Sequence, residues 1–145
     1  MFLDASAIVA ILGDEEDADT LISKIEHSNK PIYYSSLSIY EAVISLARKK
    51  RDGAIGIQAP IPPDLIDLAQ RHVDAFIETI GAKEIVIDGA MHRTAIEACR
   101  IYGSVVAHPA RLNFGDCFSY ACARVHDLPL LFKGDDFSQT DIEPA

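Results

Sequence analysis

The amino-acid sequence predicts an α/β domain with a mainly parallel central sheet covered on both faces. Three observations lead there. Short apolar runs of strand length alternate with longer stretches of helical periodicity, as strand, helix, helix, three times over, closed by a last strand. Turn or cap residues bound most of these runs. The 145 residues suit one domain, residues 1–145, with enough chain to bury a core.

The elements follow in order. Met1-Phe2-Leu3 is a short apolar run stopped at Asp4, which predicts a buried strand with Asp4 at its carboxyl end. Ser6 can cap a first helix ending near Leu12. From Glu15 to His27, Ala18, Leu21, Ile22 and Ile25 share one face, and acids fill the first turn, where the helix dipole favours them. Pro31 restarts the chain as a strand, Ile32-Tyr33-Tyr34, with Ser35 and Ser36 as turn or cap. The next helix carries Ile39, Val43, Ile44 and Ala47 on its apolar face and the cations Arg48 to Arg51 at its carboxyl end.

Gly53 to Pro63 reads as a loop, and Pro62-Pro63-Asp64 marks a helix start. Leu65, Leu68, Val73, Phe76 and Ile80 line that helix, which Gly81 stops. Glu84 to Ile87 reads as a strand. Asp88 caps a helix through Ile101, stopped by Gly103. Asp116 to Val125 is a helix of small residues, Pro129 to Phe132 a last core strand, and the tail is short and polar.

Composition narrows the function. With 49% hydrophobic residues the chain is not intrinsically disordered. No apolar run approaches the ~20 residues that cross a bilayer. The amino terminus lacks the basic region of a signal peptide. Three cysteines with no CxxC pair predict neither a disulfide framework nor a zinc knuckle, so a reducing cytoplasm is expected. The 22 acids against 13 Lys and Arg give a net charge of −9, which argues against a general nucleic-acid coat protein.

The chemistry lies in carboxylates that interrupt apolar contexts. Asp4 ends the first strand, and Asp135 and Asp136 follow the last, so a parallel sheet brings them to one edge. Glu41 lies early in a helix among Leu37, Ile39, Tyr40, Ala42 and Val43, and Asp116 opens another beside Phe114, Gly115 and Cys117. Singly, each has an ordinary structural explanation as a cap, a first-turn acid or a turn residue. Jointly, they would repel one another at one sheet edge, and a cation would relieve that. Hard oxygen donors without a His or Cys set suit Mg²⁺ or Mn²⁺. Such a site clamps phosphate oxygens and activates water for in-line displacement.

The segments Phe2-Leu3-Asp4-Ala5-Ser6-Ala7, Ser38-Ile39-Tyr40-Glu41-Ala42, Leu112-Asn113-Phe114-Gly115-Asp116-Cys117 and Leu131-Phe132-Lys133-Gly134-Asp135-Asp136-Phe137 resemble, in order, the four acidic blocks of PIN-domain nucleases, most of all the VapC-type toxins. The resemblance implies a PIN-like three-layer α/β/α domain that cleaves RNA with Mg²⁺ or Mn²⁺ and is restrained by a cognate antitoxin, with a homodimer also expected. It places Asp4, Glu41 and Asp116 at the first three acidic positions, as metal ligands and catalytic residues. The fourth falls on Asp136 or Asp135, with Asp136 preferred beside Phe137. Ser6 takes the hydroxyl position that helps hold Asp4 or a metal-bound water. Two features depart from the pattern: the Gly53 to Pro63 loop is long and Pro-rich, and basic residues are few.

Candidate RNA contacts are therefore local: Arg48 to Arg51, for which a solvated helix end is the stronger reading, His108 and Arg111 before the Asn113 block, and Lys133, for which a structural ion pair is an equal reading. His72, His92 and His126 lack zinc-like spacing. Cys117 and Cys122 read as packing residues. Tyr33, Tyr34 and Tyr40 read as core or interface aromatics, with base stacking open to Tyr40. The apolar helices from Ala18 to Ile25 and Leu37 to Ala47 are candidate docking or dimer faces. The competing activity is a receiver-like Mg²⁺-binding phosphoacceptor, which the sequence disfavours because no acid pair follows the first strand.

Overall fold

A computed structural model describes all 145 residues. Four short parallel strands form one sheet in the order β3-β2-β1-β4: β1 Phe2–Leu3, β2 Tyr33–Tyr34, β3 Lys83–Glu84 and β4 Leu130–Leu131. Phe2 pairs with Tyr33 on one side and Leu130 on the other, and Leu3 with Leu131. Tyr33 and Tyr34 pair with Lys83 and Glu84.

Six helices cover the sheet: α1 Ala5–Leu12, α2 Ala18–Glu26, α3 Ser36–Ala54, α4 Pro63–Thr79, α5 Gly89–Tyr102 and α6 Phe114–Val125. The side-chain period of two sorts the strands between two cores. Leu3 and Leu131 point into one, with Ile8, Leu21, Leu46 and Val73 from α1 to α4. Phe2 and Leu130 point into the other, with Met91, Ala95, Tyr120 and Cys122 from α5 and α6. This is the expected three-layer α/β/α arrangement. The chain leaves β1 toward β2 on one side and returns to β4 on the other, so β1 and β4 flank the switch point where α/β sheets place their ligands.

Several local expectations change. Asp4, not Ser6, is the N-cap of α1, because its carboxylate accepts the Ser6 N–H. Asn113, not Asp116, is the N-cap of α6, and Asp116 is the third residue of the helix. α3 runs past the cations through Ala54 and shortens the following loop. The third strand sits earlier, at Lys83–Glu84, although Ile85 is buried. The tail is not simply polar: Ile142 is buried, Leu130 N–H donates to Glu143 O, and Ala145 N–H donates to Leu130 O. The apolar faces of α2 and α3 turn inward, where Ala18, Leu21, Ile25, Ala42, Val43, Leu46 and Ala47 are all buried. They are therefore core, not docking surface.

Candidate active site

Asp4, Glu41 and Asp116 line one open cleft of about 400 Å³, together with Ser6, Glu15, Ser45, Asn113 and Lys133. Each acid arrives on a different element, and local backbone N–H groups fix Asp4 and Asp116. Asp4 leaves β1 only 3% exposed, and its Oδ2 accepts both the Ser6 N–H at 2.8 Å and the Ser6 hydroxyl. Ser6 Oγ in turn accepts the Lys133 N–H at 3.0 Å, which ties the start of α1 to the loop after β4.

Asp116 is held by a reciprocal capping box. Its N–H donates to Asn113 Oδ1 at 3.1 Å, and its Oδ2 accepts the Asn113 N–H at 2.8 Å. Glu41 reaches across from α3 to the first turn of α6. A Cβ built on Gly115 would lie 2.0 Å from both Glu41 carboxylate oxygens. Any side chain at Gly115 would expel that carboxylate, so the glycine is a seat and not a hinge.

Burial and mutual repulsion set the charge state. Burial first, then the Asp4 and Asp116 charges, push Glu41 up to about 7. Burial pushes Asp116 up to about 6, against the Asn113 N–H bond that lowers it and with the Asp4 and Asp136 charges that raise it. Of the adjacent acids after β4, it is thus the charge of Asp136 that reaches Asp116. Both Asp135 and Asp136 are exposed and stand outside the cleft lining.

No three His, Cys, Asp or Glu side chains stand close enough to hold a metal ion as they lie. The acids nonetheless fit a hard divalent cation by chemistry and charge. They offer only oxygen donors, and burial with like-charge repulsion holds Glu41 and Asp116 above their ordinary values, a cost that a bound cation would offset.

Other candidates fall elsewhere. His108 packs edge-on against Tyr102, and its Nδ1 accepts the Ala110 N–H; neither it nor Arg111 lines the cleft. Arg51 pairs with Asp52 and donates to Ala59 O, anchoring the loop after α3. His72, His92 and His126 are exposed, and Cys117 and Cys122 are buried. Tyr33 and Tyr34 pack against opposite cores, while Tyr40 is 66% exposed beside Glu41.

The sequence reading passed over Gly115, Asn113 and Glu15 as cleft residues. The Asn-x-x-Asp spacing is a readable capping-box signal. Gly115 and Glu15 carry no local signal, because their roles depend on α3 meeting α6 and on lysines distant in sequence.

The fold and the acid cleft define a class, and comparison with known proteins agrees. The PIN domain family matches residues 1–143, and the chain belongs to that family. It is 40% identical over 141 residues to a VapC ribonuclease of Rhizobium meliloti, covering 97% of this chain and 98% of the relative. It is 38% identical over 145 residues to Ribonuclease VapC42 of Mycobacterium tuberculosis, covering 100% and 98%. Among solved structures, Mycobacterium tuberculosis VapC20, a Sarcin-Ricin loop cleaving toxin, shares the fold with a TM-score of 0.68 at 15% identity. That alignment covers 99% of this chain and 97% of the other.

Proposed function

We propose that this chain is the toxin of a toxin–antitoxin pair, a Mg²⁺- or Mn²⁺-dependent endoribonuclease with Asp4, Glu41, Asp116 and Asp136 as its acidic residues. The observation that carries the reading is the convergence of Asp4, Glu41 and Asp116 from three elements on one cleft with no cation set between them. The VapC ribonuclease relatives, matched over nearly their full length, support the substrate class.

Asp4, Glu41 and Asp116 would hold the ion, with Asp136 at the rim. A divalent ion bound there supplies charge neutralisation on phosphate oxygens and a lowered pKa for water. The chain's own residues do the rest. Ser6 holds the Asp4 carboxylate in a fixed orientation. The capping box fixes Asp116. Gly115 admits Glu41, which near neutral pH shares its site with a proton that a cation would displace. No observation favours the phosphoacceptor. Lys133, the one cationic side chain lining the cleft, pairs with Glu15.

The test is cleavage of RNA by wild type and Asp4→Asn, with and without Mn²⁺. Cleavage only by metal-loaded wild type is expected; equal cleavage by Asp4→Asn contradicts the assignment. Strong expression of wild type alone should arrest growth, and Asp4→Asn should not.

A homodimer belongs to the same proposal. With α2 and α3 buried, the free apolar face lies on α5, α6 and the turn between them. There Ile96, Val105 and Phe114 are 66%, 79% and 68% exposed around a groove floored by Leu112 and Cys117. Light scattering should give a dimeric wild type and a monomeric Ile96→Asp; a monomeric wild type contradicts it. No helix is long and apolar enough to cross a membrane.

A further inference from the structure

Glu15 lines the same cleft and stands between two ammonium groups, that of Lys133 in the cleft lining and that of Lys49 outside it. Lys49 Nζ donates to its Oε1 at 2.6 Å, and Lys133 Nζ donates to its Oε2. Lys133 Nζ also lies 3.9 Å from Asp17 Oδ2. Each lysine has a second anchor. Lys49 Nζ lies 3.4 Å from Gly13 O at the end of α1, and a Cβ at Gly13 would come within 2.7 Å of that Nζ. The missing side chain is what lets the ammonium in. Lys133 donates its backbone N–H to the Ser6 hydroxyl, which itself binds Asp4. The lysine pair is therefore built into the same framework as the first acid.

A carboxylate whose two oxygens are each taken by a separate ammonium presents two anionic oxygens and one negative charge, as a phosphodiester does. The rest of the cleft makes this pair matter. Its other charged lining residues are Asp4, Glu41 and Asp116, and a chain of net charge −9 needs local cations to hold a polyanion. We propose that Lys49 and Lys133 form a seat for an RNA backbone phosphate neighbouring the one that is cut, and that Glu15 occupies this seat until RNA displaces it. The choice of RNA rests on the nuclease reading above. Glu15 is then an internal competitor of substrate. It keeps the lysines placed in the free protein, and its carboxylate moves to solvent when a phosphate takes over the two ion pairs.

The proposal predicts opposite signs for the two halves of the cluster, which a purely structural role does not. The probe is a short fluorescent single-stranded RNA of mixed sequence, bound in EDTA at low salt and followed by anisotropy. Lys49→Ala and Lys133→Ala should each weaken binding by up to roughly fivefold. Each should also lower the salt slope by about 0.7. Lys133→Arg should bind as wild type does. Glu15→Gln should bind more tightly than wild type, and inorganic phosphate should raise its melting temperature more than that of wild type. Glu15→Gln binding no more tightly than wild type overturns the seat, as does equal or absent binding in all variants. Cleavage in Mn²⁺ separates the two readings. A wild type that cleaves while Glu15→Gln gains no affinity loses only the seat. The predicted signs without any metal-dependent cleavage keep an anion seat and remove the nuclease.

Discussion

Two groups of carboxylates share this cleft, and the fold treats them in opposite ways. Glu15, tied to Lys133 and Lys49, is held below its ordinary value. Glu41 and Asp116, buried and facing Asp4 without a counter-ion, are pushed up to about 7 and about 6. One half of the cleft has its cations and holds an internal anion. The other half has its anions, and no lysine or arginine pairs with them. Leaving buried carboxylates without a partner cation costs stability. Ser6 joins the two halves, its hydroxyl donating to Asp4 and accepting the backbone N–H of Lys133; on the function proposed, the first half would face phosphate and the second a cation.

The largest expected effect breaks the uncompensated half. Asp116→Asn keeps the size of the side chain and removes a donor, and should lower RNA cleavage at least about a hundredfold with the far-ultraviolet spectrum unchanged. Next comes Gly115→Ala, because its Cβ would occupy the place of the Glu41 carboxylate. Cleavage should fall roughly tenfold to a hundredfold. Activity retained in Gly115→Ala would show that Glu41 works from another position.

A smaller effect separates the halves by pH. Glu41 and Asp116 bind more protons in the folded chain than in the unfolded one, so metal-free stability falls as the pH climbs from 4.5 to about 7. Glu15 acts in the other direction. Its contribution is complete above its unfolded value and is lost as the pH falls below 4.5. Thermal melts in EDTA should therefore decline by on the order of a few degrees between pH 5 and pH 8. Glu41→Gln should flatten that decline, and Mn²⁺ should reverse it by binding the folded state. A melting temperature that rises over this range contradicts the assignment.

Much of this was legible in the sequence, and the reasons for the gaps are physical. The layer order followed from periodicity, and the apolar β1 and β4 pointed to an edge bearing Asp4 and Asp136. The strands proved shorter than their apolar runs because Pro129 and Phe132 flank the pairing that Leu130 and Leu131 make with β1. Ser6 was expected both as a cap and as the hydroxyl beside Asp4; it is not the cap, its hydroxyl does hold Asp4, and its further contact with Lys133, 127 residues away, is one that no local pattern encodes. Gly115 was visible as a letter in a motif. Its role as the seat of Glu41 appears only when α3 and α6 meet. Glu15 was hidden in an acidic run, and only its paired contacts with Lys49 of α3 and Lys133 after β4 distinguish it from its neighbours.

The central claim is that the self-repelling acids await a divalent ion, and calorimetric titration of Mn²⁺ at pH 7 in buffers of different ionisation enthalpy tests it directly. Because Glu41 is pushed up to about 7, it is partly protonated there, and Mn²⁺ binding should release a fraction of a proton. Glu41→Gln should bind the ion more weakly and lose most of that release. Mn²⁺ binding that is equally tight in Glu41→Gln, or that releases no proton from wild type, contradicts the account.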